Sequence, residues 1–135
     1  MPQPIQHICM ADDDPDDCYL FETALKDVNE SVTFTFFNTC DSLLTHLRTS
    51  DDLPDLIVLD MNMPGNDGYQ CLAAIKKEAR LLHIPVVIYS TSGTPTIIKK
   101  AHDCGAYQYL IKPPSMNLIR NLITDLLATP VKRAH

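Results

Sequence analysis

The chain has no apolar run near the roughly 20 residues that a bilayer-spanning helix needs. Its first residues, MPQPIQHICM, carry no basic region ahead of an apolar stretch. The expectation is a soluble, unexported protein of the cytoplasm with no membrane partner. Basic clusters are also missing beyond Lys99–Lys100 and Lys132–Arg133, and the formal net charge is −6. Phosphate neutralisation dominates nucleic-acid affinity, so direct DNA or RNA binding is excluded. The five cysteines (Cys9, Cys18, Cys40, Cys71, Cys104) are scattered, odd in number and never spaced as CxxC. A zinc site or disulfide framework wants paired spacing, so reduced, buried thiols are expected. The five histidines show no ligand spacing. Glycine occurs only four times, and no repeat, low-complexity segment or linker interrupts the chain.

What is present is regular. With 135 residues and 45% hydrophobic composition, the chain reads as one domain, residues 1–135 with a core over about 5–128 and no output domain. Strand-length apolar runs alternate five times with helix-period segments. The strands are expected at Ile5–Ala11, Val32–Phe37, Leu56–Asp60, Val86–Ser90 and Ala106–Ile111. Helices are expected from Asp14–Pro15, Cys40, Asp67, Pro95 and Ser115, with Gly105 closing the fourth and Pro130 stopping the fifth. Strict alternation implies right-handed crossovers, and hence an α/β doubly wound parallel sheet with helices on both faces. In such a fold ligands bind beyond the carboxyl ends of the strands.

Those ends carry a consistent chemistry. The first strand ends in Asp12-Asp13, the third in Asp60, the fourth in Ser90 and the fifth in Lys112-Pro113. Like charges about 6 Å apart cost roughly 2–3 kcal/mol per pair at an effective dielectric near 20. Three carboxylates on one rim therefore require a cation or a shifted pKa. An all-oxygen donor set suits Mg2+, which binds one or two carboxylates plus phosphate oxygens. With Lys112 supplying a second positive charge, the rim is prepared for a phosphoryl group and Asp60 for nucleophilic attack.

The segments ICMADDDPDD, LIVLDMNMPGNDG, VVIYSTS and GAYQYLIKPP resemble, in order and spacing, the four signature segments of bacterial two-component response-regulator receiver domains of the single-domain type. The resemblance covers essentially the whole chain. It implies a flavodoxin-like five-stranded sheet in the order 2-1-3-4-5 and a phosphoacceptor that assists its own phosphorylation and dephosphorylation but is not otherwise an enzyme. It further implies that Asp60 takes the phosphoryl group and that Mg2+ is held by Asp13 directly, Asp12 through water, Asp60, and the backbone carbonyl of Asn62. Ser90 and Lys112 would contact the phosphoryl oxygens, and Tyr109 would turn inward as a switch. The implied partners are a sensor histidine kinase (phytochrome-like ones included) or a phosphotransfer protein, and a downstream protein. A second copy meeting the surface of the fourth helix, fifth strand and fifth helix would make a homodimer. Met10 and Ala11 replace a more usual β-branched strand end, and serine stands at 90 where threonine is commoner.

Plainer readings compete at several positions. Asp14, Asp16 and Asp17 suit a helix first turn, where each acid is worth about 0.3–1 kcal/mol against the dipole. Asp67, ahead of Gly68, reads as a loop or N-cap residue. Thr91 and Ser92 are neighbouring hydroxyls, although spacing favours Ser90, and Tyr109 also reads as a packed aromatic. An aspartyl-nucleophile phosphatase needs a second acid two residues after the nucleophile, and Asn62 stands there. A flavodoxin-like cofactor carrier needs a hydroxyl- and glycine-rich loop after the first strand, and here that loop is acidic and glycine-free. A degenerate receiver would lack an acid, the hydroxyl or the lysine. All are present.

Overall fold

A computed structural model describes residues 4–63 and 67–128. Pro64, Gly65 and Asn66 of the second signature segment, Pro130, and the Lys132–Arg133 pair lie outside the described residues. The order of elements is β1 (His7–Ala11), α1 (Pro15–Val28), β2 (Thr33–Phe37), α2 (Cys40–Thr49), β3 (Leu56–Leu59), α3 (Gly68–Lys76), β4 (Val86–Ser90), α4 (Pro95–Asp103), β5 (Gln108–Ile111) and α5 (Met116–Ala128). All pairings are parallel, and the sheet runs β2-β1-β3-β4-β5, as expected. Among the described residues no helix is long and apolar enough to cross a membrane.

The central strands are apolar throughout because both of their faces are covered. Ile8, Met10, Val58, Val87 and Tyr89 face a cluster completed by Phe21 and Leu25 of α1 and Ile123 of α5. The alternate residues Cys9, Ala11, Ile57, Leu59 and Ile88 face the opposite cluster, with Leu43 and Leu47 of α2 and Leu72 and Ile75 of α3. Side chains of period two thus feed two cores from one sheet.

Local chemistry sets the helix ends. Asp14 caps α1 by accepting from the Asp16 amide, with Pro15 in the first turn. Thr39 and Thr94 cap α2 and α4 through their hydroxyls. Asp67 and Gln70 form a reciprocal capping box at the start of α3. After Cys104 caps α4, Gly105 takes φ +106°, a left-handed conformation that closes the helix.

Three strands, β1, β2 and β5, begin later than their apolar runs suggest. The ladder between β1 and β2 opens at His7–Thr33, while Gln6 and His7 amides donate to the Asp55 carboxylate. Ala106 returns its amide to Ala101 of α4, so β5 starts at Gln108. Asp60 lies just past β3, yet its amide still reaches the Ala11 carbonyl at 2.9 Å.

The expectation of five reduced cysteines is corrected. Cys40 opens α2, Cys71 lies in α3, and the two are joined as a disulfide with Cα atoms 5.8 Å apart. Both helix starts cover the same face of the sheet, which brings together residues 31 apart in sequence. Cys9, Cys18 and Cys104 are free thiols.

Gly68 matters for the site because α3 begins almost on top of the chain leaving β3. Its amide donates to the Met61 carbonyl at 2.8 Å. A Cβ there would lie 2.7 Å from the Met61 sulfur and 2.9 Å from the Asp60 carbonyl oxygen. Gly68→Ala should therefore destabilise the protein by about 1–3 kcal/mol, the usual cost of overpacking. Urea unfolding followed by circular dichroism checks this, and an unchanged midpoint would mean that α3 shifts freely.

Candidate phosphoryl and metal site

The carboxyl ends of β1 and β3 bring Asp12, Asp13 and Asp60 together, with one carboxylate oxygen of each inside a 4.8 Å cluster. Asp12 is fully buried, Asp60 is 5% exposed, and Asp13 faces solvent. Every polar group of Asp12 is engaged. Its amide donates to the Phe37 carbonyl at 3.0 Å, and its carbonyl accepts from the Asn38 side-chain amide at 3.0 Å. One carboxylate oxygen accepts from the Asp14 amide at 3.0 Å and the other from Lys112 at 2.8 Å. This acid is a fixed part of the framework.

Lys112 reaches the acids from the end of β5. Its backbone amide donates to the Ser90 carbonyl at 2.7 Å, which ties the strand-end lysine to the strand-end serine. Its Nζ lies 2.8 Å from Asp12, 2.7 Å from Asp17 and 3.4 Å from Asp60. The ammonium also sits 5.7 Å from the Tyr89 ring centroid, a weak cation–π distance.

The protonation balance follows from burial and crowding. Burial, and then the Asp12 charge, push the Asp60 carboxyl from 3.8 up to about 6, against the pull of Lys112. Asp12 is also raised, since its burial outweighs the hydrogen bond from Lys112. For Lys112, burial alone would lower the value, but hydrogen bonds to Asp12 and Asp17 and the charges of Asp12 and Asp60 together raise it. The lysine stays charged, and Asp60 is strained as an anion. A divalent cation among these hard oxygen donors would relieve that strain, and the residues fit Mg2+ on the chemistry of the donor set.

Beside the acids, Ser90 ends β4 with 2% exposure and opens onto a cleft of ≈ 200 Å³ shared with Asn62, Tyr69, Ser92, Ile97 and Tyr109. Tyr109 is half-buried, and its hydroxyl donates to the Ser92 carbonyl at 2.6 Å. Its ring lies against Gly93, where a Cβ would come within 2.7 Å of it. Across the cleft, the Tyr69 hydroxyl donates to the Ile97 carbonyl at 2.9 Å, with Lys100 over its ring at 4.3 Å. Two tyrosine hydroxyls thus bind backbone carbonyls just before and within the first turn of α4.

The structure gathers Asp12, Asp13, Asp60 and Lys112 into one cluster and sets Ser90, Asn62 and Tyr109 around the adjoining cleft. Sequence reasoning assigned Asp14, Asp16 and Asp17 to the helix. All three stand at the start of α1 as expected, and Asp17 in addition pairs with Lys112. Asn38 and Tyr69 were not singled out. An Asp after a strand-end acid pair is a weak signal, because only the adjacency of α1 and the end of β5 gives it a partner.

The model of the response regulator receiver domain family matches residues 8–124. The two-component response regulators ORR13 (Oryza sativa subsp. japonica) and ORR8 (Oryza sativa subsp. indica) are 35% and 36% identical over 107 residues, 79% of this chain and 86% of theirs. Among solved structures, the phosphorylated cyanobacterial phytochrome response regulator RcpA superposes with a TM-score of 0.85 at 24% identity, covering 97% of this chain and 99% of that one. The Mn2+-bound response regulator Rcp1 gives 0.82 at 24% identity, covering 96% and 99%. These two likenesses bear on the fold.

Because burial raises the Asp60 carboxyl from 3.8 to about 6, its charge costs folding nothing below about pH 4, and the cost builds as pH rises from there through 6 before levelling off. Asp60→Asn should therefore stabilise the metal-free protein at about pH 7.5 by roughly 1–3 kcal/mol, and the gain should vanish near pH 4. Urea titrations in chelator at the two pH values measure this. A pH-independent difference would show that packing, not charge, separates the variants.

Proposed function

The chain belongs to the response regulator receiver domain family, and from that premise we propose that Asp60 accepts a phosphoryl group in a Mg2+-dependent reaction. The carrying observation is a buried, electrostatically strained carboxylate at a strand end, flanked by two further acids and within 3.4 Å of a half-buried lysine. In the transfer, an Asp60 carboxylate oxygen attacks phosphorus while the donor's phosphorus–nitrogen or phosphorus–oxygen bond breaks. The product is an acyl phosphate on Asp60. Asp12, Asp13, Asp60 and the Asn62 carbonyl would hold Mg2+, which when bound neutralises the acids and the phosphoryl oxygens. Lys112 supplies the remaining positive charge, and the Ser90 hydroxyl donates to a phosphoryl oxygen.

The phosphoryl donor is a sensor histidine kinase or a phosphotransfer protein. The altered surface of α4, β5 and α5, where Tyr107, Ile111 and Leu118 are exposed, serves a downstream protein or a second copy of the chain. The reading as a bacterial-type regulator rests on the four signature segments and is part of this proposal. Catalysis beyond the domain's own phosphorylation and dephosphorylation is not part of it.

With acetyl phosphate and Mg2+, intact-mass analysis should show one added phosphoryl group on the wild type and none on Asp60→Asn. Mg2+ at about 100 times its dissociation constant should stabilise the wild type by about 2.7 kcal/mol, most of which Asp13→Asn should lose. Equal labelling of the Asp60→Asn variant would remove Asp60 as acceptor, and an equal Mg2+ response in Asp13→Asn would place the metal elsewhere.

Signalling requires the modification to change shape. We infer that Ser90, drawn toward the phosphoryl group, opens the cleft to the Tyr109 ring, which leaves Gly93 and gives up its bond to Ser92. Ser90→Ala should still be labelled, more slowly, but fail to switch. Solvent exposure of Tyr109 with and without beryllofluoride, in wild type and variant, provides the readout. Equal exposure in all four samples would overturn the switch while leaving the acceptor untouched.

A further inference from the structure

We propose that Asp17 is the positioning residue for Lys112, holding its ammonium within reach of Asp60 but off it until a phosphoryl group arrives. This rests on the reading of Asp60 as acceptor and Lys112 as its cation, and adds how the pair is kept ready. An ammonium has three N–H donors. Two are committed at short range, to Asp12 at 2.8 Å and to Asp17 at 2.7 Å, while Asp60 lies at 3.4 Å. A lysine with only Asp12 and Asp60 as neighbours would close on the second of these. That would tie up the attacking oxygen in a charge-assisted hydrogen bond and place a positive charge among the metal's oxygen donors. With Asp17 as the second acceptor, the lysine waits beside the nucleophile, and its third N–H is left for a phosphoryl oxygen.

Asp17 is free for this because of how α1 begins. It is the third residue of the helix, where an acidic side chain commonly reaches back to the N-cap amide. Here the N-cap amide, that of Asp14, already donates to Asp12 at 3.0 Å. The Asp17 carboxylate is thereby released to cross 95 residues of sequence to Lys112. Stabilisation of the helix dipole alone would not select this residue, since Asp16 beside it is equally placed for that role and faces solvent.

The test compares Asp17→Asn with Asp16→Asn, which makes the same charge change in the same helical turn. Labelling by acetyl phosphate is followed at saturating Mg2+, alongside the Mg2+ concentration for half-maximal rate and the melting temperature of the metal-free protein. Asp17→Asn should lower the plateau rate about tenfold, the scale of one charge-assisted hydrogen bond. Asp16→Asn should stay within about twofold, the scale of a dipole effect. Asp17→Glu, which restores the carboxylate, should recover part of the loss, and the three melting temperatures should not follow the rates. Equal slowing in the two Asn variants, or a wild-type rate in Asp17→Asn, would overturn the assignment. If the wild type itself took no phosphoryl group, the acceptor reading would fail first and this proposal with it.

Discussion

The structure of the rim depends on one constraint: three carboxylates at two strand ends share a small volume, and one lysine cannot neutralise them. Buried Asp12 and Asp60 are held as close neighbours by backbone hydrogen bonds to Phe37 and Ala11. The chain cannot move them apart without breaking the sheet register at its carboxyl edge. Burial first, and the neighbouring Asp12 charge second, therefore appear as a raised Asp60 pKa instead of a displaced backbone. Such a site stores its readiness electrostatically, as affinity for added positive charge.

How the chain tolerates this is visible in the distribution of hydrogen bonds. The β1–α1 turn contains five aspartates in six residues, Asp12 to Asp17 with Pro15 among them, and Asp12, Asp14 and Asp17 each find a different kind of partner. Asp12 accepts from an amide and from Lys112, Asp14 caps the helix, and Asp17 takes the lysine from the helix side. Helix capping and ion pairing thus share the acids of one short segment. The Asp14 amide, which a simple capping box would leave for the third residue, is the link between the two.

Most of the fold was legible because its signals are local. The strand at Val86–Ser90 and the starts of α1 and α4 follow from an apolar run and from prolines in the first helical turn. The acid pair, Asp60, Ser90 and Lys112 were legible because strand ends converge in a parallel sheet whatever its details. What escaped reading depends on contacts between distant segments. Ala106 looked like strand until the competing acceptor at Ala101 was present. The Cys40–Cys71 link requires two helix starts to meet on one face, and cysteine spacing says nothing about that. The partner of Asp17 lies in a different element, so the residue looked like one more first-turn acid.

The two halves of the rim differ in what holds them, and that difference bears on how the proposed phosphorylation would alter a distant surface. On the acid side the contacts are charged, with Lys112 on Asp12 and Asp17. On the β4–α4 side they are neutral, with Tyr109 on the Ser92 carbonyl and Tyr69 on the Ile97 carbonyl. A neutral hydrogen bond contributes a net 0.5–1.5 kcal/mol, roughly, whereas one to a charged group contributes about 1.5–3. The two are joined where the Lys112 amide meets the Ser90 carbonyl at 2.7 Å, so the strand-end lysine and serine share one anchor. Moving a two-state equilibrium from 1:99 to 99:1 takes about 5.5 kcal/mol. Two or three charge-assisted contacts to a phosphoryl group reach that scale, and the single neutral bond from Tyr109 does not resist it. In the proposed switch the weaker side would therefore give way, and it is the side that leads to α4 and β5.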